Sequence, residues 1–471
     1  MLNFYSSRRA LSLWLVAVVC LAARPAAALD CAWIDGNSTW SNASSWSCGV
    51  VPGAGDNVTI NTFVTVTLDA DVTVGAFNLT NGLLDGTGSL IITGSFAWGD
   101  SGKMDGTGTT VAQGGTTITG QVSVRLGRPL EFASDTFWES NNITMLPGGS
   151  ILNRSGRTFT DNAQPLSQSH AISVPGGTPA NELPTITNRG RWIHAGAETG
   201  VAVNFVNEGT LIVSGDGLRF VNGQVAMSNI AVLRGASLLD VGGTGGAVGL
   251  TQPGSTQPGL ETSAETVGRL SVKGNFAMTN EHDLQIDLAG PTPTTGHDQL
   301  AVEDGDVTVD GCLYLTFADG FVPTVGQSFV VLAHTGNGAV SGCYDAGDII
   351  VSPEEYEVAV ACTSAGIAAE VIGVTADEPG AAPDAIDLST AAPNPFRTST
   401  ALTLTVPTAQ RVTVEAFDVL GRRVAMLFEG AVAAGEPLAL TLQAEALPSG
   451  FYVVRAAGED FVRTHRVTLL R

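Results

Sequence analysis

Asp85-Gly86-Thr87-Gly88 returns 20 residues later as Asp105-Gly106-Thr107-Gly108, and Asn188-Arg189-Gly190 returns 19 residues later as Asn207-Glu208-Gly209. Between about 58 and 290, short β-forming runs such as 64–68, 90–93, 116–119 and 211–213 alternate with Gly, Asn and Asp turns. A fixed period near 20 is how a stacked solenoid reads, because each coil carries inward Val, Ile and Leu that only its neighbours can bury. The expected fold is therefore all-β: a right-handed parallel β-helix of roughly ten or more coils spaced ~4.8 Å apart. Less regular spacing between 121 and 180 leaves a pair of β-sandwiches as the alternative. A charged fraction of only 14% and 57 glycines suit short strands and tight turns in either case.

The chain of 471 residues is long enough for several domains. Residues 1–28 carry Arg8 and Arg9, an apolar run from Leu11 to Ala23, and then Ala26-Ala27-Ala28, the order of a secretory signal peptide with its cleavage site. The run is about 13 residues, short of the ~20 that span a bilayer, so a mature chain starting near Leu29 is expected, with no transmembrane segment in it. Residues 29–290 read as the coil with a Trp-rich N-terminal cap. Residues 291–372 read as a β module that ends it, 373–388 as a flexible acidic linker rich in Ala and Pro, and 389–471 as a separate domain.

Once Cys20 leaves with the signal peptide, five cysteines remain in an oxidising compartment. Cys31 and Cys48 bracket one short motif and are expected to pair. Of Cys312, Cys343 and Cys362, two are expected to bridge, Cys312 with Cys343, leaving one thiol over. No C-x-x-C pair and no His at ligand spacing accompanies them, so no metal is assigned there. Asp85 and Asp105, one repeat apart, are candidates for a structural Ca²⁺, although Asp-Gly turns are abundant without metal.

Residues 29–388 hold 11 basic and 38 acidic side chains, net 11 − 38 = −27, against 8 − 7 = +1 for 389–471. The acidic surface argues against nucleic acid and anionic membranes as partners. Lysine is almost absent, with only Lys103 and Lys273.

Three resemblances follow from motifs. Cys31-Ala32-Trp33, Trp40, Trp46-Ser47-Cys48, Val51-Pro52-Gly53 and Asp56-Asn57-Val58 resemble the opening of bacterial surface and autotransporter-like proteins, where Trp residues cap a β-helix. Gly296-His297-Asp298-Gln299-Leu300, Gly320-Phe321-Val322-Pro323 and Gly326-Gln327-Ser328-Phe329 resemble the segment that ends such helices, which implies a structural role for His297 and Asp298. Pro393-Asn394-Pro395-Phe396, Phe417-Asp418-Val419-Leu420-Gly421-Arg422, Gly450-Phe451-Tyr452 and the closing Arg466 to Arg471 match in order and spacing the type A sorting domain of the type IX secretion system of Bacteroidota and their relatives. That likeness implies the type IX machinery as a partner, passage through the periplasm to the medium or outer surface, and Pro393, Asn394, Pro395, Asp418, Gly421, Arg422, Gly450 and Tyr452 as sorting-signal residues. By pattern alone, alternating runs and turn glycines there predict a small immunoglobulin-like β-sandwich.

Catalytic constellations are missing. Gly99-Asp100-Ser101-Gly102 resembles a serine-protease nucleophile loop, but Lys103 breaks it and no matching His motif lies upstream. The Gly-rich run 242–249 lacks the register of a phosphate loop. Two function classes remain: a non-catalytic adhesin, matrix or glycan-binding protein, which is preferred, and a secreted polysaccharide lyase or glycosidase using carboxylates along the rod. In both, the partner expected outside the cell is a polysaccharide or surface glycan.

Overall fold

A computed structural model describes residues 27–470 apart from 141, 163–169, 222–223, 243–249, 261–266, 319, 375–385, 390, 419–420, 445–446 and 459–460. The expected signal peptide, the Gly-rich run after Gly242 and most of the expected linker thus lie outside the described residues. The chain divides into two units, Met1–Val374 and Thr375–Arg471.

The first unit is a parallel β-helix. Phe96–Gly99, Lys103–Met104 and Thr110–Ala112 make one coil of three short strands, and Thr116–Thr119 then stacks on Phe96–Gly99 with Thr116 beside Phe96. Repetition builds three ladders. The first runs through strands such as Arg191–His194, Thr210–Val213 and Val232–Gly235. The second runs through Val124–Leu126, Leu218–Phe220 and Arg269–Lys273. The third runs from Val72–Val74 to Val225–Met227 and resumes from Leu250–Gln252 to Val340–Ser341.

Alternation within each strand explains why this sequence coils. Val124 and Leu126 are buried while Arg125 points out, and Leu130 and Phe132 repeat the pattern in the next strand. Each fully buried Leu, Ile or Phe contributes about 1.5–3 kcal/mol, and the stacking of identical rungs makes that burial continuous. Rings pack from coil to coil: the Phe159 and Trp192 rings stack with centroids 3.9 Å apart, and Trp192 meets Phe205 edge to face at 5.5 Å.

The two sequence repeats have different causes. Asn153, Asn188 and Asn207 form a buried amide ladder: Asn153 Nδ2 donates to Asn188 Oδ1 at 2.8 Å, and Asn188 Nδ2 to Asn207 Oδ1 at 2.7 Å. In the Asp-Gly-Thr-Gly repeat, a Cβ on Gly108 would overlap the Gly88 carbonyl of the coil beneath. The motif stops after two copies because Arg128 occupies the following rung. Its fully buried guanidinium donates from Nε to Gly108 O at 2.7 Å and from Nη2 to Gly88 O at 2.6 Å. Burial lowers its pKa to about 10, so it stays charged at neutral pH.

Both ends of the coil are covered, as open strand edges must be. Trp33, Trp40 and Trp46 are buried at the first end, with Trp46 4.8 Å from Trp33 and 4.7 Å from Trp40, so their faces are not offered to sugars. At the other end parallel coiling continues past residue 290 as far as Ile349–Ser352. The hairpin of Tyr356–Thr363 and Gly366–Val374 then pairs antiparallel with Ser328–Thr335.

The second unit is a β-sandwich. Asp387–Leu388, Ser399–Thr405 and Leu438–Gln443 form one antiparallel sheet, and Arg423–Val432, Gln410–Asp418, Gly450–Ala457 and Val462–Leu469 form the other. Leu402, Leu404, Val412, Val414, Leu440, Val454 and Val467 fill the space between them.

Candidate functional site

The sorting-signal residues expected from the sequence come together in the sandwich. Asp418 pairs in register with Tyr452, and Tyr452 with Val467, so three strands meet there. Asp418 Oδ1 accepts from the Arg422 backbone N–H at 2.9 Å and Oδ2 from Arg422 Nε at 2.7 Å, closing a turn in which Gly421 takes φ +76°. Tyr452 Oη donates to Pro448 O at 2.6 Å. Asn394, between Pro393 and Pro395, is held on the last strand: its Nδ2 donates to Arg466 O at 3.1 Å and its Oδ1 accepts from Thr468 N at 2.8 Å. Gly450 pairs with Leu469 of that strand.

The cysteines need one correction. Cys31 bonds Cys48, but Cys343 bonds Cys362, and Cys312 is a free thiol. The expected Cys312–Cys343 bridge does not form because Cys312 starts a strand of the first ladder, beside Asp283. Cys343 instead follows the last strand of the third ladder, where the terminal hairpin brings Cys362 to a Cα separation of 5.8 Å. Chain spacing alone does not reveal a hairpin that folds back.

Other motifs resolve into structure. His297 Nδ1 sits 3.1 Å from Gly290 O, and Asp298 accepts from Gly268 N at 2.7 Å and Asp287 N at 3.0 Å. Burial pushes the Asp298 carboxyl up to about 8, yet both of its oxygens already accept backbone N–H groups. Gly99–Gly102 is a turn, with Asp100 at φ +44° and Gly102 N donating to Gly99 O at 2.9 Å. Of the two expected Ca²⁺ candidates, Asp85 Oδ1 accepts from Gly86 N, and the Arg125 guanidinium pairs with the Asp105 carboxylate. No group of three or more His, Cys, Asp or Glu among the described residues converges to hold a metal. No described helix is long and apolar enough to cross a membrane.

Sequence reasoning missed the outward face of the second ladder. Lys103, Arg125, Arg219, Arg269 and Lys273 lie on its strands, five of the eleven basic residues between 29 and 388. Arg219 pairs in register with Asp240, Asp240 with Lys273, and Lys273 with Glu303, so charge alternates from rung to rung. Arg219, Asp240, Lys273 and Asp304 line a cleft of about 380 Å³. Asp304, at φ +53°, is one of three non-glycine residues with positive φ among the described residues. The scarcity of lysine was the available signal, because both lysines lie on this face.

No family model matches the chain, and no curated protein matches it. Among solved structures, one similar chain is the enzymatically active domain of tailspike protein 4 from bacteriophage CBA120. It is 13% identical at a TM-score of 0.17, over 93% of this chain and 68% of that one. The β-helix assignment rests on the strand pairing above.

Proposed function

We propose that this protein is exported through the type IX secretion system by its C-terminal sandwich, and that its β-helix acts outside the cell as a non-catalytic glycan-binding adhesin or matrix protein. The observation that carries the glycan reading is the mixed-sign cleft of Arg219, Asp240, Lys273 and Asp304. Neighbouring sugar hydroxyls donate and accept at once, and a wall alternating guanidinium, carboxylate and ammonium answers both needs in a way a single-sign surface does not. The two disulfides suit an oxidising destination. The gathering of Asn394, Asp418, Arg422 and Tyr452 about the last strands supports the sorting reading.

Asp240 and Asp304 share the cleft, which is the observation favouring the alternative of a carbohydrate-active enzyme. One experiment separates the two. The full chain is incubated with algal, plant and bacterial polysaccharides, with and without Ca²⁺, and retention and new sugar ends are both measured. The proposal expects retention without new ends. New ends establish the enzyme, and neither signal removes the glycan reading. Export is tested by fusing 389–471 to a reporter in a type IX-competent host, where Asp418→Ala and Gly421→Val are expected to leave the reporter in the periplasm.

A further inference from the structure

A second pocket on the same ladder has a different chemistry. Strand Asn57–Leu68 loses register against Phe77–Gly86: Asn61 pairs with Asn81 and Thr65 with Leu83, so Thr62, Phe63 and Val64 stand opposite Gly82 alone. Gly82 takes φ +98°, and a Cβ there would overlap the Thr62 carbonyl, so the glycine admits the bulge. Asn61 Oδ1 accepts from Asn81 Nδ2 at 2.7 Å and pins its base. Bulges re-aim side chains, and this one places Phe63 80% exposed at the rim of a pocket of about 270 Å³.

Leu83, Lys103, Arg125 and Asn37 also line this pocket. Lys103 pairs in register with Arg125, so cation faces cation on adjacent rungs, which is unfavourable by itself. Asp105 answers Arg125 only, and Lys103 has no ion-pair partner among the described residues. This is the reverse of the Arg219 column, where each cation faces an anion. A region of net charge −27 has thus set two cations side by side beneath an exposed ring. An anion between them relieves the repulsion, and a flat apolar face on the same ligand covers the ring.

We infer that the Phe63–Lys103–Arg125 pocket is a subsite for an acidic sugar residue, a pyranose ring stacked on Phe63 with its carboxylate between Lys103 and Arg125. The site is distinct from the mixed-sign cleft. The test is calorimetric titration of the full chain with a tetrameric oligogalacturonate in low salt, against the same oligomer with its carboxylates reduced to alcohols. The acidic oligomer is expected to bind and the reduced one to bind at least ten-fold more weakly, with affinity for the acidic oligomer falling as NaCl rises. Phe63→Ala and Lys103→Ala are each expected to weaken binding about five- to ten-fold, and Phe63→Tyr to restore it. Because Phe63 is exposed, its loss leaves the fold intact. Equal binding of both oligomers, or unchanged affinity in Phe63→Ala and Lys103→Ala, overturns the subsite. Retention of neutral polysaccharides by the same protein would then show that the wider glycan reading stands without it.

Discussion

Single residues in the coil act through the rung below. Asn188 donates to Asn207 and accepts from Asn153 with no exposure to water, so Asn188→Ala strands two buried amide partners. We expect a loss of about 2–4 kcal/mol, read from denaturant midpoints. Gly108→Ala meets the Gly88 carbonyl, whereas a Cβ on Gly115 meets nothing within 4 Å. Thermal melts should show the first destabilised by about 1–3 kcal/mol and the second unchanged. Buried histidines set the acid limit. Desolvation lowers His170 and His282 to about 4, so both are neutral in the folded chain. As pH falls below about 6.5 only the unfolded chain takes up these protons, and stability is lost between about 6.5 and 4. Moving from pH 7 to 5 should cost about 2 kcal/mol per histidine, and the double variant His170→Gln/His282→Gln should flatten that slope. The asparagine and glycine repeats were legible in the sequence because each rung needs the same small or amide side chain. Phe63 and the lysines were not, because one exposed ring and two scattered cations become a site only when coiling places their rungs together.

At the scale of elements, strand type was legible from alternation and rung spacing from the repeats. The ends were legible in part: three Trp near Cys31 marked a cap, and the terminal hairpin was hidden because it reverses direction within a run of ordinary β residues. That hairpin is where the cysteine expectation failed. Mapping of peptides from unreduced protein should recover Cys31–Cys48 and Cys343–Cys362, with Cys312 alone alkylated among the five cysteines of the described residues. Recovery of a Cys312–Cys343 peptide would contradict the placement of the hairpin against Ser328–Thr335. Removing the Cys343–Cys362 bond by a Cys362→Ser change should lower stability by about 3 kcal/mol, as for a loop closed over a separation of 19 residues. A Cys312→Ser change should leave it unaltered.

At the scale of the whole molecule, charge is unevenly divided: residues 29–388 are net −27 and 389–471 net +1, an acidic coil proposed to act outside the cell followed by a near-neutral sandwich proposed to direct export. The composition of 373–388 predicts that limited proteolysis cuts there first. What the coil binds was the least legible part, because one β-helix scaffold carries many functions and its sequence repeats report packing, not ligands. The central claim is that the outward face of the second ladder holds a glycan. Its most direct test is retention of the best-bound polysaccharide by the parent chain and by Arg219→Ala/Lys273→Ala, with melting temperature measured in parallel. The double variant is expected to lose at least ten-fold in retention at an unchanged melting temperature, whereas equal retention by the two proteins would rule out a glycan on this face.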